Sequence, residues 1–119
     1  MNWLVVAAVF GAVGVVAGAF GAHGLRSYVG PEQLQSWKTA VDYHLFHSLA
    51  ILALGLFQSA TGRPVQTPAL LFAVGILLFS GSIYLLVLTP WRWLGPVTPL
   101  GGLALIGAWL SLLLLTREG

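Results

Sequence analysis

The chain has 119 residues, 58% of them hydrophobic and 7% charged, with no cysteine and a formal net charge of +2. An ordinary soluble domain has roughly 45–50% apolar and about 25% charged residues, and one this short needs a large polar surface, so a water-soluble globule is excluded. The lack of cysteine excludes disulfides, thiolate metal sites and a cysteine nucleophile, and so small a net charge gives no ground for a nucleic-acid partner.

Ionisable side chains are costly at the centre of a bilayer, so they mark where the chain leaves the hydrocarbon. Arg26, Glu32, Lys38, Asp42, Arg63, Arg92, Arg117 and Glu118 cut the sequence into four uncharged stretches. Each reaches the roughly 20 residues that a helix needs to cross about 30 Å. Runs such as Ala69 to Val74 and Leu112 to Leu115 are apolar on every side, which excludes the two-residue alternation of a membrane β-barrel. The expected fold is all-α, an integral membrane four-helix antiparallel bundle. It forms one domain over residues 1–119, with spans near 3–24, 31–60, 66–90 and 97–116.

The first span opens Met1-Asn2-Trp3, without the basic residues that begin a signal peptide, and is read as a retained helix. Its Gly14 and Gly18 form a small-xxx-small pair, which permits close packing inside the bundle or a homodimer seam. Gly30-Pro31-Glu32 is a helix start, with proline at the first position and an acid in the first turn. The second helix therefore begins well before its uncharged stretch, and Trp37 and Tyr43 are expected at the headgroup level. Lys38 and Asp42, four apart, are expected to pair with each other or with Arg26. Short turns at Ala60 to Pro64 and Thr89 to Pro96 connect the later spans. Arg63, Arg117 and the amino terminus on one face balance Arg26, Lys38 and Arg92 on the other. The second of these is called the first-loop face below.

Polar groups are distributed unevenly along the membrane normal. His23, His44, His47, Ser80, Ser82, Tyr84 and Thr98 all fall in the half of the bilayer next to the first-loop face. Since every such group needs a partner or water, the expectation is a polar recess near that face, with His23, His47, Ser80 and Tyr84 approaching one another and His44 at the margin. At about 100° per residue, His47 stands about 60° around the helix from His44, and Asp42 lies on another face. Without a carboxylate to orient the imidazoles, no metal site and no cofactor are expected. Membrane serines usually donate to the carbonyl four residues back, and no turn presents a serine beside an oxyanion hole, so no catalytic residue is assigned.

Four segments taken in order, Gly18 to Leu25, Trp37 to Ala50, Phe79 to Leu85 and Thr98 to Gly102 with Trp109, resemble the small bacterial inner-membrane family known as domain of unknown function 423. Its eukaryotic relatives look like transmembrane protein 256. The resemblance implies a multi-pass inner-membrane protein with no established activity, and maps the family's histidine pattern onto His23 and His47, with a polar residue or histidine at the place of His44. The expected function is a non-catalytic bundle whose recess binds a lipid, a small ligand or a membrane partner. The competing class uses the histidines for metal, haem or quinone redox chemistry, or for proton, ion or solute transport.

Overall fold

The computed structural model describes residues 2–116, so Arg117 and Glu118, used above to close the last span, lie outside the described residues. Four helices make up the architecture: α1 Trp3–His23, α2 Pro31–Thr61, α3 Gln66–Leu88 and α4 Val97–Ser111. Three short 3-10 turns accompany them at Leu25–Ser27, Arg92–Leu94 and Leu112–Thr116, the last of which continues α4 directly. There is no strand among the described residues. All four helices, with α4 taken together with its flanking turns, are long and apolar enough to cross a membrane.

Each boundary has a local cause. The Asn2 side chain accepts from Leu4 N (3.1 Å) and Val5 N (3.3 Å), satisfying amides that the first turn of α1 leaves open. Pro31 starts α2 with a preset φ, and Gln33 Oε1 reaches back to accept from Gly30 N at 3.2 Å. Gly62, at φ 73°, ends α2 in the left-handed conformation, and its amide donates to Gln58 O at 2.8 Å. Pro90 stops α3, because the residue before a proline avoids helical geometry and Thr89 is extended. At 31 residues and about 1.5 Å per residue, α2 outruns the hydrocarbon, so its first turns stand at the headgroup level.

Consecutive helices pack side by side, α1 on α2, α2 on α3 and α3 on α4, and the α1–α4 edge stays nearly open. The body is correspondingly slab-like, 53 × 26 × 18 Å. One core cluster joins Trp3, Ala7, Ile51, Phe72, Ile76 and Leu105 in the half away from the first-loop face, and a smaller one joins Leu25, Trp37 and Val41 near it. Large apolar side chains such as Val16, Leu49, Leu77 and Leu103 point outward, as lipid-facing positions should.

Three expectations are corrected. Trp37 is buried rather than interfacial, with 4% of its surface exposed. Lys38 and Asp42 make no ion pair among the described residues and stand exposed as separate charges. Of the two uses expected of Gly14 and Gly18, close packing inside the bundle holds and a free dimer seam does not: a Cβ on Gly14 would lie 2.6 Å from Leu45 Cδ2, and one on Gly18 3.3 Å from Val41 Cγ1, so α2 already occupies both.

The tightest crossing is α3 on α4. A Cβ on Gly101 would collide with the backbone nitrogen of Phe79 and lie 2.6 Å from the carbonyl carbon of Leu78. Backbone atoms cannot turn aside as a side-chain end can, so G101A should lower the unfolding free energy in detergent by at least about 2 kcal/mol. G107A, whose Cβ meets open space, should not lower it.

Candidate functional site

Within hydrocarbon no water satisfies a polar side chain, so each donor must find an acceptor in the protein. Across the α1–α2 seam, the acceptors are backbone carbonyls of α1. Trp37 Nε1–H donates to Ala17 O at 2.8 Å, and His44 Nε2–H donates to Phe10 O at 2.8 Å. A helical carbonyl keeps a second lone pair after accepting its own i+4 amide, but the side chain at i+4 leans back over it. At both places that residue is a glycine, Gly14 after Phe10 and Gly21 after Ala17. A Cβ on Gly21 would lie 2.8 Å from Trp37 Nε1, and one on Gly14 3.3 Å from His44 Cδ2. The two glycines open windows through which α2 reaches the α1 backbone.

His44 then fixes its own tautomer. Because Phe10 O can only accept, Nε2 carries the proton and Nδ1 is a bare acceptor, which takes the hydroxyl proton of Tyr84 at 2.9 Å. One buried side chain thus joins α1, α2 and α3. The Tyr84 ring also packs on Trp37, centroid to centroid 4.6 Å, and Ser80 Oγ donates to Ala40 O at 2.7 Å one turn away on the same α2–α3 seam.

His47 is arranged the opposite way. Its Nδ1–H donates to Tyr43 O in its own helix at 2.7 Å, and its Nε2 accepts Trp109 Nε1–H from α4 at 3.1 Å. The Phe46, Phe72 and Trp109 rings surround it. Further toward the first-loop face, Ser82 Oγ bonds Phe79 O (3.0 Å) and Thr98 Oγ1 (2.5 Å), fastening α3 to α4. Among the described residues, the only buried side-chain polar atom without a partner is Trp3 Nε1.

The polar residues expected to meet in one recess therefore divide among three seams. His44, Ser80 and Tyr84 lie along α2–α3, with His44 reaching α1; His47 turns toward α4; Ser82 and Thr98 pair with each other. His23 stands exposed at the end of α1 and takes no part. His44, rather than His23 or His47, is the partner of Tyr84. Asp42, Tyr43, Phe46 and His47 line one open depression of about 400 Å³, though no hydrogen bond joins Asp42 to His47. A second cavity, of about 330 Å³, lies between α1 and α3: Val9, Phe10 and Val13 line one side, Ile76, Leu77 and Gly81 the other, and His44 and Tyr84 also border it. Its rim residues Val9, Val13 and Leu77 are exposed, so it opens sideways toward lipid.

Sequence reasoning missed the carbonyls of Phe10 and Ala17 and the role of Trp109. A signal for the first two is present in the matched spacing of seven, Gly14 to Gly21 on one helix and Trp37 to His44 on its neighbour.

The two imidazoles should be distinguishable in solution. In detergent or nanodiscs, ¹⁵N spectra should show protonated Nε2 for His44 and protonated Nδ1 for His47. W109F, which removes the donor to His47, should lower stability by about 0.6–1.7 kcal/mol. The same tautomer at both positions would contradict these bonding directions.

A family model described as "Protein of unknown function (DUF423)" matches residues 17–102. The chain is 39% identical to the UPF0382 membrane protein YwdK of Bacillus subtilis over 92% of this chain and 91% of that protein. It is 40% identical to a UPF0382 membrane protein of Staphylococcus haemolyticus (86% and 84% covered). With a UPF0382 membrane protein of Schizosaccharomyces pombe the identity is 45% (91% and 95% covered). No solved structure matches it. With its four apolar helices and this likeness over most of its length, the chain belongs to the DUF423 family of multi-pass membrane proteins, for which no activity is established.

Proposed function

We propose that this protein is a non-catalytic membrane bundle, a single four-span unit of the bacterial inner membrane, that holds one amphiphilic molecule in the cleft between α1 and α3. The observation that carries the reading is the composition of that cleft, an apolar cavity of about 330 Å³ with a single polar pair, His44 and Tyr84, on its border. Pockets for small apolar ligands have this character, a greasy lining with a few placed polar groups. Tyr84 spends its proton on His44, so its oxygen retains lone pairs for a donor on the ligand. The class that fits is an acyl or isoprenoid chain ending in a hydroxyl or amide. His23, Ser82 and Thr98 do not line this cleft.

The non-catalytic reading is supported by how the candidate groups are used. Ser48 and Ser80 donate to carbonyls at 2.7 Å, and neither faces an imidazole lone pair. Redox or metal chemistry on the α2 histidines needs a ring nitrogen able to accept a metal, and the single lone pair of each neutral ring already accepts a hydrogen bond, from Tyr84 or from Trp109. His23, exposed at the end of α1, remains available for contact with a partner.

Gly81 supplies the test, because it lines the cleft and a Cβ there meets open space. A diazirine-bearing fatty alcohol, photolysed with the full chain in nanodiscs, should label the segments around Val13 and Leu77. G81L should keep the helical content and thermal stability of the parent yet lose most of that labelling. Equal labelling of G81L and wild type would remove the cleft as the site.

A further inference from the structure

A third cavity lies at the first-loop end, where the chain also carries exposed Tyr28, Trp91 and Trp93, the aromatic residues favoured at the membrane surface. It has a volume of about 640 Å³ and is formed between the opening turns of α2 and the end of α3. Its polar lining includes Glu32 and Ser36 from α2, Thr89 at the end of α3 and Arg92 from the turn beyond it. Its apolar lining includes Ile83, Leu86 and Val87 from α3. The Glu32 carboxylate, the Ser36 hydroxyl and the Arg92 guanidinium have no hydrogen bond or ion pair with any described residue, although opposite charges border the one cavity. Gln33 also lines it, and with its carbonyl oxygen taken by Gly30 N it presents a free amide NH₂.

We propose that this cavity is a phospholipid headgroup site selective for a primary ammonium, as in phosphatidylethanolamine. Arg92 and the Gln33 amide donate to the phosphodiester, Glu32 accepts the ammonium, and an acyl chain descends along Ile83, Leu86 and Val87. The chemistry distinguishes this occupant from others. An anionic headgroup without an amine, such as that of phosphatidylglycerol, brings no ammonium to Glu32 and is repelled by it. A choline headgroup cannot hydrogen-bond a carboxylate, and aromatic side chains, which would otherwise hold a quaternary ammonium, do not line this cavity. A free phosphate has no use for an apolar wall. The site is separate from the α1–α3 cleft and stands or falls without it.

The test uses the full chain, delipidated in detergent, offered equal amounts of phosphatidylethanolamine, phosphatidylcholine and phosphatidylglycerol, with retained lipid counted by native mass spectrometry. Phosphatidylethanolamine should be retained about tenfold over either competitor, the scale of one lost charge-assisted hydrogen bond. R92Q, which removes a donor to the phosphodiester that all three lipids share, should lower retention of each of them, and E32Q should erase the preference. K38Q, which changes an exposed cation that does not line the cavity, should leave it intact, as should G81L. Because Glu32 and Arg92 are exposed and unpartnered, both variants should keep the parent's melting temperature in lipid-free detergent. Equal retention of the three lipids, an unaltered preference in E32Q, or an equal loss in K38Q would overturn the proposal. Displacement of the lipid by millimolar inorganic phosphate or phosphoethanolamine would do the same, by showing a free-anion site that makes no use of the apolar wall.

Discussion

The constraint on which this structure depends is that a donor buried in hydrocarbon has only protein atoms to bond. The chain meets it by turning the backbone of α1 into an acceptor surface. Phe10 and Ala17 offer carbonyls, Gly14 and Gly21 keep them uncovered, and His44 and Trp37 come from α2 to use them. Much else follows from this register. It sets how closely α1 and α2 lie, it orients the His44 ring, and the ring's remaining nitrogen decides where Tyr84 of α3 must stand. The cleft between α1 and α3 is the space left once that side chain holds the two helices.

No single bond of this kind is strong. Interhelical hydrogen bonds in membranes average about 0.6 kcal/mol and reach about 1.7, because the separated helices also find partners. Close packing supplies the rest: Gly75 and Gly101 bring α3 and α4 together to backbone distance, and Phe72 and Ile51 are wholly buried. The polar bonds contribute direction and register more than energy. Each fixes a rotation of one helix against another that dispersion among leucines and valines would leave loosely specified. This is how so apolar a chain acquires one arrangement and a defined cleft.

Much of the fold was legible in the sequence because its signal is one-dimensional. Eight charged positions and the uninterrupted runs between them are enough to count spans, and Gly30-Pro31 and Gly62 announce where α2 starts and stops. The site was legible only in part. Helical geometry correctly separates His44 from His47 by about 60°, but which neighbour occupies each side is a property of the bundle and not of α2. The partners of Trp37 and His44 are main-chain oxygens, which every residue possesses and no side chain advertises. Gly14 with Gly18 was the conspicuous pair, while the pair that opens carbonyls is Gly14 with Gly21, recognisable only beside the matching interval between Trp37 and His44 on the next helix. His23 closes α1 as expected, yet that helix end leaves it in the open.

The central claim, that buried polar side chains here serve as specific joints between helices, is tested most directly by a double-mutant cycle on His44 and Tyr84. Reversible unfolding of the wild type, H44F, Y84F and the double variant gives the energy of the Nδ1 to hydroxyl contact free of the bulk of either ring. The account predicts a favourable coupling of about 0.6–1.7 kcal/mol, with each single variant less stable than the parent. Additive effects, with a coupling indistinguishable from zero, would contradict it.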